Sequence, residues 1–179
     1  ESNMKKIIFI TLLNLTFLLA GNFTVKYTAG RVKVKNSEHP NGRLLKRNAK
    51  LNDGDTVVTG PSSFVALRDP DGSVIKISEN TTFEIEQSFS SRTSRKQSFK
   101  IPRGKILANI TKLRKKSDIR FETPTAVAGI RGTVIVVDVQ NKSFYLLRGK
   151  MDIKPHNSRK VIVMKKGEKV TSSEGGKFV

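Results

Sequence analysis

Between Val25 and Met164 the apolar residues recur at alternate positions, in short runs that Gly, Pro, Asn or Asp bring to a stop. A period of two sends successive side chains to opposite faces, which is how a half-buried strand is built, whereas a helix repeats every ~3.6 residues. Val25-Lys26-Tyr27, Val32-Lys33-Val34, Thr56-Val57-Val58-Thr59, Phe64 to Arg68, Ser73 to Ile77 and Thr82 to Glu86 all follow the strand pattern. Ser98 to Ile101, Lys105 to Ile110, Ile119 to Thr123, Ser143 to Leu147, Lys150 to Ile153 and Lys160 to Met164 continue it. Val134 to Val139, the most apolar β-branched run, is expected to be buried on both faces. Only Ile106 to Leu113 hints at a helical period. Ser88 to Gln97, rich in Ser and Arg and without an aliphatic residue, reads as a mobile loop. Strands about eight to twelve residues apart predict an all-β fold, a single sandwich or roll-like domain. Gly-led strand starts at Gly30-Arg31-Val32, Gly104-Lys105-Ile106 and Gly149-Lys150-Met151 leave room within that class for a short β-solenoid-like coil.

The stops carry turn chemistry. Asp69-Pro70-Asp71-Gly72 separates two alternating runs, so a β-hairpin is expected there. Gly54, Asp55, Asp71, Gly72, Gly132, Gly149 and Gly167 are read as structural turn positions. The pairs Asp53/Asp55 and Asp69/Asp71 invite a Ca²⁺ or acid–base reading. Both stand at turns, where Asp bonds its own backbone, and the further oxygen ligands and late Glu of a calcium loop are missing.

The N-terminus reads as an address. Met4-Lys5-Lys6 precedes Ile7 to Ala20, a segment free of charge and closed by a small residue, as in a secretory signal peptide. Fourteen residues (7–20) span about 21 Å as a helix, short of the roughly 30 Å hydrocarbon core of a bilayer. The expected division is a signal peptide with a short extension at 1–20, a β domain at 21–172 and a flexible tail at 173–179. The mature protein is expected in the periplasm or secreted, touching membranes at most peripherally; the alternative is an inner-membrane anchor left uncleaved.

Charge points to the partner class. Lys and Arg number 34 against 15 Asp and Glu, for a formal net charge of +19. Such an excess draws a protein to anionic surfaces and says little about fold. It is also uneven: Leu51 to Ser91 carries seven acidic and two basic residues, while Arg92 to Arg120 carries eleven basic and one acidic. Arg92, Arg95, Lys96, Lys112, Arg114, Lys115 and Lys116 are therefore the candidate partner contacts, set against a reading of the same stretch as a solvated loop and charged turn. The partner would be a protein or an anionic envelope component. Nucleic acid is the alternative, although Phe99 and Phe121, the aromatics near this block, sit at core-like alternating positions and export argues against it.

No residue cluster suggests catalysis. The absence of Cys excludes disulfides, thiol nucleophiles, thiolate metal sites and a lipidated N-terminal cysteine. His39 and His156 each adjoin a Pro and have no partner at metal-ligand spacing. Neither a Gly-x-Ser-x-Gly elbow nor a Gly-x-x-x-x-Gly-Lys-Ser/Thr loop occurs. Gly129-Ile130-Arg131-Gly132-Thr133 could form an anion nest, but a tight turn feeding the apolar run explains it more simply. The expectation is a binding module with no enzyme activity, no metal and no cofactor.

Six pieces stand in order along the chain: Gly54-Asp55-Thr56-Val57-Val58-Thr59-Gly60; Asp71-Gly72-Ser73-Val74-Ile75-Lys76-Ile77 followed by Asn80-Thr81; Arg103-Gly104-Lys105-Ile106; Thr123-Pro124-Thr125-Ala126 with Gly132-Thr133; Gly149-Lys150; and Gly167-Glu168. Together they resemble the FecR domain. The resemblance implies an all-β envelope domain that senses or binds without a cofactor. The best-known members of that family are regulators joining a cytoplasmic anti-sigma arm, a membrane helix and a periplasmic sensor part. Here few residues precede the apolar segment and no second spanning segment follows, so the likeness is to the sensor-type domain exported by itself.

Overall fold

The computed structural model describes residues 23–90, 94–111, 116–173 and 178. The expected signal segment at 1–20 lies outside these, as do Arg92, Lys112, Arg114, Lys115 and all of the 173–179 tail except Ser173 and Phe178. Every helix or strand element among the described residues is a strand: β1 Phe23–Ala29, β2 Val32–Lys35, β3 Arg43–Leu44, β4 Lys50–Leu51, β5 Thr56–Thr59, β6 Phe64–Arg68, β7 Val74–Ile77 and β8 Thr82–Ser90. They continue as β9 Ser94–Arg103, β10 Lys105–Asn109, β11 Lys116–Glu122, β12 Ala126–Asp138, β13 Ser143–Pro155, β14 Ile162–Met164 and β15 Lys169–Thr171.

The strands form two wings that share one ribbon. The first wing runs β3-β2-β5-β8-β9-β11, with β9 and β11 parallel, and the second runs β4-β1-β6-β7-β10. Both end on the same strand. The first half of β12 pairs with β11 through Val127 to Ile130, and its second half pairs with β10 through Val134 to Asp138. Along its other edge β12 pairs with β13 for nearly its whole length, and β13 then receives β14 beside the first wing and β15 beside the second. The pairing of β12 with β13 slips between Arg131 and Ile135, where the ribbon passes from one wing to the other. Gly132 and Gly149 occupy this bulge with φ of 56° and 96°, so they act inside the ribbon and not at the chain reversals where the sequence suggests them. A Cβ on Gly149 would lie 2.5 Å from the Gly132 carbonyl oxygen, so the two backbones could not approach as they do.

The wings close on a single core, which makes the architecture a sandwich or roll as the alternation predicts. Phe99 of β9 stacks on Phe83 of β8 (5.2 Å between ring centres) and Phe121 of β11 (5.0 Å), and meets the edge of Phe23 from β1 across the core (5.6 Å). Burying a side chain of this kind contributes on the order of 1.5–3 kcal/mol.

Two expectations need correction. Within the stretch read as a loop, the described residues 88–90 and 94–97 are strand, since β8 and β9 pair antiparallel as far as Ser90 opposite Arg95. Their inward positions carry Arg95 and Gln97, so an apolar pattern could not reveal them. The run from Val134 is buried on one face only, because Val134 and Val136 point to the half-exposed outer side while Ile135 and Val137 are buried. Ile106 to Asn109 is strand, as the alternation from Lys105 to Ile110 predicts, clamped between β7 and β12.

Candidate functional site

Arg95 is 2% exposed and its guanidinium is bound on every side. Nη2 donates to the Asp69 carboxylate, to Ser73 Oγ (2.9 Å) and to Gln97 Oε1 (2.8 Å). Nε lies 3.7 Å from the Asp71 carboxylate, and Nη1 donates to Thr111 Oγ1 at 3.4 Å. Asp69 is held in turn by the Ser73 N–H at 2.8 Å. A buried charge is tolerated only when paired and hydrogen-bonded in this way. The network fastens the β8–β9 hairpin of the first wing to the β6–β7 turn of the second. Arg95, expected from sequence to meet a partner at the surface, is thus a structural tie.

The same interleaving spreads over the outer face of the first wing. Lys35, Thr56, Glu84, Lys100, Glu122, Val127 and Lys154 form one row across the strands, in which the acids fall between cations. Lys96 is exposed opposite Asp118 of β11, and Asp118 pairs with Arg120 at 2.7 Å. The acidic and basic blocks of the sequence are therefore largely brought together by folding. Of Lys116 the described part is its backbone at the start of β11.

One part of this face is not balanced. The adjacent row runs Leu44, Lys33, Val58, Thr82, Arg103 and contains no acid. Small side chains occupy the middle of the row, and long cationic ones flank them. The result is an open cleft of about 350 Å³ with Arg31, Lys33 and Lys35 on one side and Arg103 on the other, floored by Val58, Thr59 and Gly60. Asn41 and Asn80 add amides at its rim. Among the described residues none of the four cations forms an ion pair. Arg103 is pinned over the row by donating from Nε to Thr82 Oγ1 at 3.1 Å. The stems of Lys35 and Lys33 run beside Gly42, 3.2 and 3.4 Å from where a Cβ would stand. Glu79, next to Asn80, accepts from the Ser62 N–H at 2.7 Å and does not line the cleft. Sequence reasoning missed this site. The period-two triplet Arg31, Lys33, Lys35 was a visible signal, but Arg103 joins it only through the pairing of four strands.

The outer face of the second wing is of another kind. Tyr27, Ala66, Lys76, Leu107, Val136 and Tyr145 form a mostly apolar row, with Tyr27 stacked on Phe64 at 5.4 Å and Lys76 Nζ 4.9 Å above the same ring.

The turn aspartates hold backbone. Asp55 accepts from the Asn52 N–H (2.8 Å) and the Asn36 side chain (2.8 Å). Gly54, Gly72 and Gly167 adopt φ of 86°, 87° and 87° at chain reversals. Asp138, at the end of β12, is pushed up by burial, but its bonds from the Asn141 N–H and side chain and the charge of Lys105 at 3.4 Å outweigh this and hold its carboxyl below the usual range. Among the described residues no three His, Cys, Asp or Glu side chains gather as metal ligands. No helix there is long and apolar enough to cross a membrane.

The sequence profile described as FecR protein matches residues 55–150, more than half of the 179 residues. Two crystal structures of a protein from Parabacteroides distasonis ATCC 8503, provisionally described as an anti-sigma factor, share the fold. Each is 16% identical, with a TM-score of 0.53, over 64% of this chain and 53% of that one. The present chain therefore spans about half the length of those structures, and identity at this level speaks to fold alone. No curated protein matches the chain.

Proposed function

The chain belongs to the FecR family, and on that premise we propose that it is an exported, non-enzymatic binding or signalling module of the bacterial cell envelope. The match over residues 55–150 is the observation that carries this reading. In it, residues 1–20 direct export, residues 21–172 form the working domain and residues 173–179 are a tail. The mature protein occupies the periplasm or the medium and presents cationic surface to an acidic partner, whether protein, lipid or cell-wall polymer. Lys96 and the segment holding Lys112, Arg114, Lys115 and Lys116 belong to that surface, together with Arg92. What supports a cationic contact is the large positive excess combined with the unpaired cations of the outer face.

Photocrosslinking in intact cells, followed by fractionation, tests the proposal. The expected result is a mature form shortened near residue 20, found outside the cytosol and joined to an envelope component. A full-length protein recovered from the cytosol attached to RNA or DNA would replace this reading with the nucleic-acid one.

A further inference from the structure

We propose that the cleft bounded by Arg31, Lys33, Lys35 and Arg103 is a binding site for a phosphate group carried on a larger molecule. The inference rests on the reading of the chain as a binding module, and it names the ligand chemistry and the residues.

Four features of the cleft lead to this conclusion. First, its charge is uncompensated where its neighbour's is not. One row away, Glu84 and Glu122 stand among Lys100 and Lys154, with Lys35 at the end of that row reaching into the cleft, while the Lys33–Arg103 row has no carboxylate. A sheet that interleaves its charges elsewhere concentrates like charges here, which raises the local potential for an anion. Second, the cations converge from separate strands over a floor of small residues, leaving an open space of about 350 Å³. Third, the side chains are partly fixed in advance. Thr82 Oγ1 holds Arg103, and Gly42 leaves room for both lysine stems, so less freedom is lost when a ligand arrives.

The fourth feature is the mixture of donors. Two guanidinium groups offer planar forks and two ammonium groups offer point charges, with the Asn41 and Asn80 amides at the rim. A carboxylate presents one negative charge and two oxygens, which four cations exceed. A phosphate ester presents more charge and non-bridging oxygens in several directions, and it fits such a set. The cleft is shallow and open, so the phosphate arrives as a group on a sugar or a lipid headgroup rather than as an enclosed small molecule.

The test uses the full chain and two charge-matched double variants. Lys33→Gln with Arg103→Gln removes two cations from the cleft. Lys100→Gln with Lys154→Gln removes two from the balanced row. All four positions except Lys33 are exposed and Lys33 is half-buried at the surface, so folding is checked by circular dichroism and thermal melting. Glucose 1,6-bisphosphate, titrated by calorimetry at fixed salt, is the soluble probe. Flotation with vesicles of phosphatidylglycerol or of phosphatidylcholine is the bilayer probe, and because every variant shares the same N-terminal segment its own affinity for lipid cancels. The cleft variant is expected to lose about tenfold or more in affinity, and the balanced-row variant to stay within about twofold. Loss on the bisphosphate alone assigns a soluble phosphorylated ligand, and loss on phosphatidylglycerol vesicles assigns a headgroup. Equal losses in both variants, or no binding of the wild type to either probe, would overturn the site. Such a failure leaves the in-cell crosslinking result standing, and a cytosolic location would leave the binding result standing, so the two readings fail separately.

Discussion

Arg95 on β9 donates to the carboxylate of Asp69 in the turn between β6 and β7, so the most basic stretch of the sequence is tied to its most acidic one inside the protein.

Breaking this tie from one side leaves a charge buried alone. Arg95→Met strands Asp69, whose side chain is 1% exposed, and the expected loss is about 3–5 kcal/mol in urea unfolding. Asp69→Asn is expected to be costly for the same reason. The double variant should lose clearly less than the two single losses added together, since neither charge is then abandoned. Strict additivity would mean that the two residues do not interact.

Gly149 and Gly167 separate backbone strain from crowding. Both have positive φ, 96° and 87°, but a Cβ on Gly149 meets the Gly132 carbonyl while one on Gly167 meets nothing within 4 Å. Gly167→Ala is expected to cost about 1 kcal/mol, the price of the backbone conformation alone. Gly149→Ala should cost about 2–4 kcal/mol, because the bulge must also open. Melting curves that shift equally would show that the ribbon's crossing does not depend on the close approach.

Phe99 makes three ring contacts and is fully buried, whereas Phe89 at the end of the same hairpin is 52% exposed. Phe99→Ala is expected to lose about 3–5 kcal/mol. Phe89→Ala should stay within about 0.5 kcal/mol of wild type, and a large loss there would place it in a contact the fold does not explain.

Asp138 gives a pH signature. Its folded carboxyl titrates below the ordinary range because the Asn141 and Lys105 contacts outweigh burial. Folding therefore favours the ionised form, and this contribution is complete above the unfolded value of about 3.9 and is lost as pH falls through the folded value beneath it. Wild type and Asp138→Asn should thus differ most near neutrality and converge in acid. A gap that widens as pH falls below 4 would reverse the assignment.

The strands were legible because their inward residues are mostly apolar. Val32 and Val34, Val57, Ile75 and Ile77, and Ile106 and Ala108 are all buried at every second place. The same rule failed at β9, where Arg95 and Gln97 take inward positions and are satisfied by partners as far as 28 residues away. It misread Val134 and Val136 because composition cannot say which side of a β-branched run faces water. Parallel pairing of β9 with β11 and the switch of β12 between wings leave no local mark, since they depend on which edges remain open. The cleft follows the same logic. Arg31 and its lysines could be read from one short run of sequence, and Arg103 could be placed only after four strands were in register.

The shared ribbon also sets an order of assembly. Until residues 126–155 are available, β11 and β10 each present an unpaired edge, so neither wing has its full complement of backbone bonds. A chain emerging from its N-terminus carries most of both wings before the hairpin that closes them exists. Cooperative folding must therefore wait for the last third of the sequence, and a truncation ahead of Ala126 should yield a sticky intermediate instead of a smaller stable domain.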